Sequence, residues 1–332
     1  MDADKAKKIQ RKLRPVLLPF SVLFGGGVNI RQTLYDIGVL KAHEFDRLKV
    51  VGVGGIVAGG SGKTPVVIEI AKRLMVKGKT CVITGNYPVK DRRTIVVSDG
   101  RRIFKHPPAV SDEAYMIARK VPVTVISSKN RKAALELAVG LNMEFAVMDD
   151  ALHHFEIKKN LEICVVDMKE PFDNGLYLPA GMLRAPKKAL ERCDAIICFD
   201  KSGSLSKEVS FDCHRARFEF LGVFDYKHRR LSSVSSAFVF CGIGNPQAFL
   251  QFVKRNGIEV LGYRFFADHH IYNDEELDEL RRLKRECGAD ILLTTYKDFV
   301  KIERSDFYYV DVETRVENLQ EILGRLYEQE GN

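Results

Sequence analysis

With 332 residues, 45% of them hydrophobic and 29% charged, the chain has the make-up of an ordinary folded protein, which excludes wholesale disorder and favours two domains over one. Its seven cysteines (81, 164, 193, 198, 213, 241 and 287) contain no C-x-x-C pair, which excludes the common zinc and dithiol motifs and makes a reducing cytoplasm the simplest setting. A net charge of +8 favours anionic partners such as nucleotides, phospholipid headgroups or nucleic acid, without choosing among them.

In chain order, six basic side chains come first (Lys5, Lys7, Lys8, Arg11, Lys12 and Arg14), followed by an uncharged run over 15–30. That run is shorter than the roughly 20 apolar residues of a bilayer span, and Pro15, Pro19 and the glycines 25–27 interrupt it. A signal peptide shows the same order of charge and hydrophobicity. A buried helix is the plain alternative. A segment lying on an anionic membrane surface puts the cations at the headgroups and Val16, Leu17, Leu18, Phe20, Leu23 and Phe24 in the acyl boundary.

Residues 48–57 read as a strand buried on both faces, rich in β-branched side chains with glycines interspersed, and a helix follows from Pro65 to about residue 76. Short apolar strands recur at 80–84, 123–126, 145–148, 162–167 and 195–199, with helical patterns at 112–120 and 130–141. This alternation implies a mostly parallel α/β sheet covered by helices on both faces. Asp99-Gly100 marks a hairpin between 94–98 and 101–104. The polar stretch 201–207 reads as a linker. Beyond it a smaller α/β pattern runs through strands at 237–240, 259–265, 291–294 and 308–310, with helices from Pro246, over 273–287 and at the end. The expected organisation is a basic and apolar segment (1–30), a P-loop domain (31–205) and a C-terminal α/β domain (206–332).

The chemistry centres on the run Val57, Ala58, Gly59, Gly60, Ser61, Gly62, Lys63 and Thr64, all eight of which are expected to line the nucleotide. Phosphate binding needs backbone N–H groups aimed inward at a helix N-terminus, and Gly59, Gly60 and Gly62 let the backbone turn and approach that closely. Lys63 brings a point charge to the β- and γ-phosphates and Thr64 a hydroxyl to Mg²⁺, so ATP and Mg²⁺ are the implied ligands. The first glycine of the usual pattern is replaced by Val57. The apolar strand 145–148 ends in Asp149-Asp150, placing carboxylates at a sheet's C-terminal edge beside the metal, with Asp167 a weaker candidate. Ser111-Asp112-Glu113 opens a helix, where a serine or aspartate is first of all an N-cap. His153-His154 and Asp268-His269-His270 suit a carboxylate–histidine base better than a zinc site.

The order of motifs resembles the tetraacyldisaccharide 4'-kinase family, the lipid A 4'-kinases of Gram-negative bacteria. The matching residues are 59–65, Asp112-Glu113, Asp149-Asp150, His154, the stretch 174–184 from Asn174 to Arg184, Gly242 to Pro246, Asp268-His269-His270 and Lys297-Asp298. The resemblance implies ATP-dependent phosphorylation of the 4'-hydroxyl of a tetraacylated glucosamine disaccharide 1-phosphate, giving lipid IVA at the cytoplasmic face of the inner membrane. It also implies a base at Asp112 supported by His269, with the two domains closing over the substrate. Metal carboxylates are implied at Asp149 and Asp150, and substrate contacts at Arg184, His154 and Asn174. A peripheral membrane contact through residues 5–30 fits such a substrate; no nucleic acid and no obligate protein partner is implied. The chain departs from the family pattern at Gly55 for asparagine, at 84–88 for Ser-Arg-Gly-Tyr-Gly, at Ala151 and His153 for glycine and glutamine, at Ala185 for an acid and at Tyr296 for glutamate. Loss of the arginine at Gly85 removes a charge near the phosphates. A kinase of a soluble small molecule and a nucleotide-driven switch or assembly ATPase are the rival readings, although no [NT]-K-x-D guanine motif and no nucleic-acid reader motif accompanies the loop.

Overall fold

The computed structural model describes residues 3–85, 93–201, 209–268 and 270–328, the side chains of 3–9, 11 and 328 excepted. Its elements in chain order are α1 (Ala3–Asp36), β1 (Lys49–Gly54), α2 (Lys63–Leu74), β2 (Thr80–Thr84), β3 (Ile95–Asp99), α3 (Asp112–Lys120), β4 (Thr124–Ser127), α4 (Arg131–Gly140), β5 (Phe145–Asp149) and β6 (Leu161–Asp167). A 3-10 helix (Lys187–Arg192) leads to β7 (Ala195–Asp200), β8 (His214–Phe224), β9 (Ser236–Cys241), α5 (Pro246–Arg255), β10 (Glu259–Phe265) and α6 (Asp274–Cys287). The chain ends with β11 (Ile291–Thr295), α7 (Tyr296–Phe299), β12 (Phe307–Val316) and α8 (Leu319–Glu328). Two compact units result, one from the described residues of 10–200, 207–216 and 315–332, the other from those of 1–9, 201–206 and 217–314. The last helix thus returns to the first unit, whereas the linear pattern groups it with everything after residue 205. The expected linker falls almost wholly on residues 202–208, outside the described ones.

In the first unit the strand order is β7-β6-β1-β5-β2-β4-β3, parallel throughout except for β3, which runs antiparallel to β4. Strands β2, β4 and β5 are buried at every position and β1 at all but Lys49, as a sheet covered on both faces requires. Helices enter this sheet at capped ends: Ser111 accepts from Ala114 N before α3, and Asn130 accepts from Ala133 N before α4. The hairpin at Asp99-Gly100 forms, with the Asp99 carboxylate accepting from the amides of Arg101 and Arg102 at 2.8 and 2.7 Å. Its return strand shrinks to a single bridge between Ser98 and Ile103.

Two expectations are corrected at the N-terminus and among the cysteines. Pro15 and Pro19 lie inside one continuous helix of 34 residues rather than breaking it. Each proline removes only its own donor, and both lie on the exposed side of α1, where nothing packs against the local distortion. Counted with its flanks, the 25-residue stretch Lys12–Asp36 is long and apolar enough to cross a membrane, which the uncharged run alone is not. Cys198 on β7 and Cys213 form a disulfide, a pairing set by tertiary neighbours that spacing along the chain does not show.

Helix α8 closes the sheet from the far end of the sequence. Tyr327 meets Phe145 edge-on with ring centroids 6.3 Å apart, and Lys49 Nζ lies 4.5 Å from the Tyr327 centroid. Arg325 donates to the Asp194 carbonyl.

The second unit has strand order β10-β9-β11-β12-β8, with β10, β9, β11 and β12 mutually parallel along their pairings. Helix α6 begins with a full capping box between Asn273 and Glu276 and ends at Gly288 in the left-handed region. Strand β9 starts at a polar knot with one buried and one exposed partner: the exposed Asp290 carboxylate accepts from the buried Ser236, from its N at 3.0 Å and its Oγ at 2.9 Å. Asp290→Ala removes the acceptor of both Ser236 bonds at a position water can reach and should cost about 1 kcal/mol. Urea unfolding of the variant is the measurement, and an unchanged midpoint contradicts the assignment.

Candidate active site

The phosphate loop leaves the sheet where β1 is flanked by β5 and β6, the point at which successive strands turn to opposite sides and ligands bind beyond the strand ends. Register fixes the geometry: Val53 stands opposite Asp149 in the β1–β5 pairing. The loop then folds back to cap α2 through Gly62, whose φ of 97° is open to glycine. A Cβ there would also stand 2.7 Å from the Phe199 ring, so the close packing of β7 on the loop needs the missing side chain. Gly59 has a positive φ as well.

Within the expected nucleotide run, Ser61 turns its side chain into the protein. Its side chain is buried, and its amide donates back to the Gly59 carbonyl at 2.9 Å, closing the turn instead of pointing at a phosphate. Its hydroxyl is buried without a hydrogen-bond partner, and a Cβ on residue 55 would lie 3.1 Å from it. The orphaned hydroxyl therefore faces the position where the family pattern has asparagine and this chain has Gly55. Ala58 likewise spends its amide inside the protein, on the Met182 carbonyl at 2.7 Å, and Val57 bridges Leu183. These three residues shape the loop, and the linear motif does not separate them from those that face outward.

At the head of α2 the predicted residues converge. Thr64 Oγ1 donates to Asp149 Oδ2 at 3.1 Å. Lys63 Nζ lies 3.6 Å from Asp150 Oδ1 and 3.4 Å from the Gly59 carbonyl. Arg184 grips Asp150 with two parallel hydrogen bonds of 2.8 and 2.6 Å. Beneath them Arg131, opening α4, donates to the carbonyls of Ser128 and Asp149 from a buried position. The linear pattern passes over Arg131, which reads there only as the start of a helix. A Cβ on residue 85 would lie 3.3 Å from Arg131 Nη2, so a guanidinium stands beside the position where the family arginine is absent.

The two adjacent carboxylates titrate in opposite directions. Burial pushes Asp149 up to about 6, against the pull of Lys63. Burial alone would raise Asp150 too, but the Arg184 hydrogen bonds and the Lys63 charge outweigh it and hold Asp150 far below the usual carboxylate range. His153 is pushed down to about 4 by burial and then by the nearby Arg184, which makes it neutral at ordinary pH.

Asp112 is the first residue of α3, and Ser111 rather than Asp112 does the capping. Ser111 Oγ also donates to the Gly85 carbonyl at 3.2 Å, which brings this helix start to the end of β2, the neighbour of β5. His154 Nδ1 contacts Glu156 Oε1 at 2.6 Å, and Glu156 in turn pairs with Arg31 of α1 at 3.0 Å. Asn174 works inside its own loop, donating to the Ala180 carbonyl and accepting from Leu176 N, both at 3.0 Å. Asp167 closes a turn by accepting from Lys169 N. His269 and residues 86–88 lie outside the described residues. In the second unit Lys297 Nζ pairs with Asp268 at 3.1 Å, and the fully buried Asp298 accepts from Gly242 N and Thr295 Oγ1.

A family model described as LpxK, tetraacyldisaccharide-1-P 4'-kinase, matches residues 13–328. The chain belongs to this kinase family. A tetraacyldisaccharide 4'-kinase of Halothermothrix orenii is 32% identical over 309 residues, covering 83% of this chain and 80% of that protein. One of Geobacter metallireducens is 32% identical over 305 residues, covering 89% and 90%. A crystal structure of LpxK from Aquifex aeolicus in complex with ATP superposes with a TM-score of 0.79 at 28% identity, covering 95% of this chain and 99% of that one. As a tetraacyldisaccharide 4'-kinase the chain is an ATP-dependent phosphotransferase of lipid A biosynthesis, with Mg²⁺ as its ion.

The residues present fit that ion. Asp149 Oδ1 is buried without a hydrogen-bond partner while Oδ2 holds the Thr64 hydroxyl, so Asp149 and Thr64 offer the hard oxygen donors that would hold such a cation.

The histidine that replaces the family glutamine gives this kinase a pH signature. His153 titrates near 4 in the folded chain against 6.5 when unfolded, so the unfolded state binds the extra proton between those values. The stability is complete above 6.5 and falls as the pH drops through that window, by up to about 3 kcal/mol. His153→Gln should flatten this loss, read as urea midpoints at pH 7 and pH 4.5 for both proteins; equal losses in the two would contradict it.

Proposed function

We propose that the first unit holds Mg-ATP and that its own side chains carry the transfer to the 4'-hydroxyl of the lipid disaccharide. The observation that carries this reading is the contact of Thr64 with Asp149 at the end of β1 and β5, beside Lys63. The amides of Gly60, Gly62, Lys63 and Thr64 and the positive end of α2 receive the triphosphate, while Ser61 holds the turn between them. Lys63 neutralises charge on the β- and γ-phosphates, and Thr64 and Asp149 hold the Mg²⁺, which supplies electrostatic stabilisation of the transferring phosphoryl group. Asp150 keeps Lys63 and Arg184 oriented through its two ion pairs, and Arg184 meets the substrates' phosphate charge. Arg131 adds a buried cation under Asp149.

Asp112 at the start of α3 accepts the proton of the 4'-hydroxyl as its oxygen bonds the γ-phosphorus and the bond from that phosphorus to the β–γ bridging oxygen breaks, with ADP as the leaving group. His269 keeps the supporting role that the family pattern assigns to it. His154 and Asn174 act on the substrate at one remove, His154 through Glu156 and Asn174 by shaping the 174–184 loop.

Helix α1 supplies the membrane contact. Val16, Phe20, Val22, Leu23 and Ile30 are exposed along it, an apolar surface that water does not favour and an acyl boundary does. The basic residues of its first turns suit anionic headgroups, so the enzyme meets its four-chain lipid at the cytoplasmic face of the inner membrane, with no obligate protein partner invoked.

Labelled ATP and the lipid disaccharide 1-phosphate, with and without detergent micelles, test the reading. Lys63→Ala should abolish turnover. Asp112→Ala should lower kcat by about a hundredfold or more while ATP affinity stays near the parent's. Transfer by Lys63→Ala at the parent rate sinks the phosphate-loop assignment. A rate indifferent to micelles favours the soluble-substrate reading instead.

A further inference from the structure

The loop from Asn174 to Arg184 touches two different parts of the first unit. On one side it is fastened to α1. Ala180 N donates to Ser21 Oγ at 2.8 Å, and Gln10 Nε2 donates to the carbonyls of Pro179 at 2.7 Å and Gly181 at 3.2 Å. Ser21 is buried, as is the helix face around Gly25, where the Tyr177 ring lies so close that a Cβ would stand 2.6 Å from it. On the other side the same loop is fastened to the phosphate loop. The bond from Ala58 N to the Met182 carbonyl is joined by one from Arg184 N to the Ile56 carbonyl, both at 2.7 Å, and by the bridge between Val57 and Leu183.

We propose that α1 is part of the catalytic scaffold as well as a membrane contact: Ser21, Gln10 and Gly25 are positioning residues that set Arg184 through the 174–184 loop. The inference rests on the reading of Arg184 given above. Its physical basis is that the loop has no regular secondary structure to hold it. Arg184 must keep a two-pronged grip on Asp150, and the nearest rigid body on the far side of the loop is the helix. The absence of a side chain at Gly25 is what lets Tyr177 dock. Anchoring alone makes no such demand, because any apolar residue there would serve a membrane equally well.

That difference supplies the experiment. Gly25→Leu and Gly27→Leu add the same apolar side chain to the same helix, but only position 25 abuts Tyr177; a Cβ at 27 meets nothing within 4 Å. Full-length enzyme is assayed in micelles with the lipid disaccharide, and its binding to anionic phospholipid vesicles is followed by flotation. Gly25→Leu should lose about tenfold or more in kcat with lipid KM and flotation held, whereas Gly27→Leu should stay within about twofold. Ser21→Ala should fall in the same direction, Ser21→Thr should recover the rate, and hydrogen exchange at the Ala180 amide should quicken in the alanine variant alone. In an Arg184→Ala background, Ser21→Ala should cost nothing further. If Gly25→Leu and Ser21→Ala turn over like the parent while Arg184→Ala is slow, α1 does not position the loop and the inference falls. If Arg184→Ala itself is not slowed, the reading of Arg184 fails and takes the inference with it.

Discussion

The parallel pairing of β1 with β5 is the constraint on which the nucleotide unit depends. With Val53 opposite Asp149, the phosphate loop that leaves β1 and the acids that end β5 emerge side by side, and Thr64 reaches Asp149 without further adjustment. A slip of one residue would turn the Asp149 side chain to the other face of the sheet. The buried side chains that line both strands therefore hold a functional distance as well as a fold: Val50, Val51, Val53, Ala146, Val147 and Met148 are all at most 1% exposed.

Around that contact the charges are arranged so that two neighbouring acids do different work. Asp149 is buried and weakly compensated, which leaves it near neutrality and one of its oxygens without a partner. Asp150, one residue on, adopts a φ of 57° and turns toward Lys63 and Arg184, which keep it ionised. The backbone departure at Asp150 separates the two side chains, a local cost that Asp can bear in the left-handed region. Environment rather than residue type decides which acid keeps an unpaired oxygen and which one is held by basic groups.

Much of this was legible in the sequence because it is local. The strand before the loop, the helix after it and the acids ending 145–149 each declare themselves by apolar runs and glycine spacing, and β2, β10 and α3 fall where the pattern puts them. What sequence concealed depends on neighbours far along the chain or on which way a residue turns. Arg131 looks like any helix-opening cation until Gly85 and Asp149 are brought beside it. Ser61 shares the spacing of its ligand-facing neighbours, and only the folded turn shows its hydroxyl aimed inward at Gly55. Strand β8 alternates polar and apolar residues over 215–220 and ends in the apolar run 220–224, so its signal is present in the sequence although the expected strands omit it. The prolines and glycines of α1 are breakers in isolation and tolerable in a helix exposed on one side and docked on the other. Asn174 carries a family motif, yet its amide is spent on holding a turn.

Helix α8 brings residues from the end of the chain onto the beginning of the sheet, with Tyr327 between Lys49 and Phe145. During synthesis on the ribosome, most of the nucleotide unit therefore emerges early but stays unfinished until α8 has been made. The second unit, whose strands run from β8 to β12, is translated in the interval and is complete before α8. Order of emergence and order of completion are reversed in this chain, and an early stop that spares every residue of the phosphate site would still leave the central strands β1 and β5 without α8 at their starts.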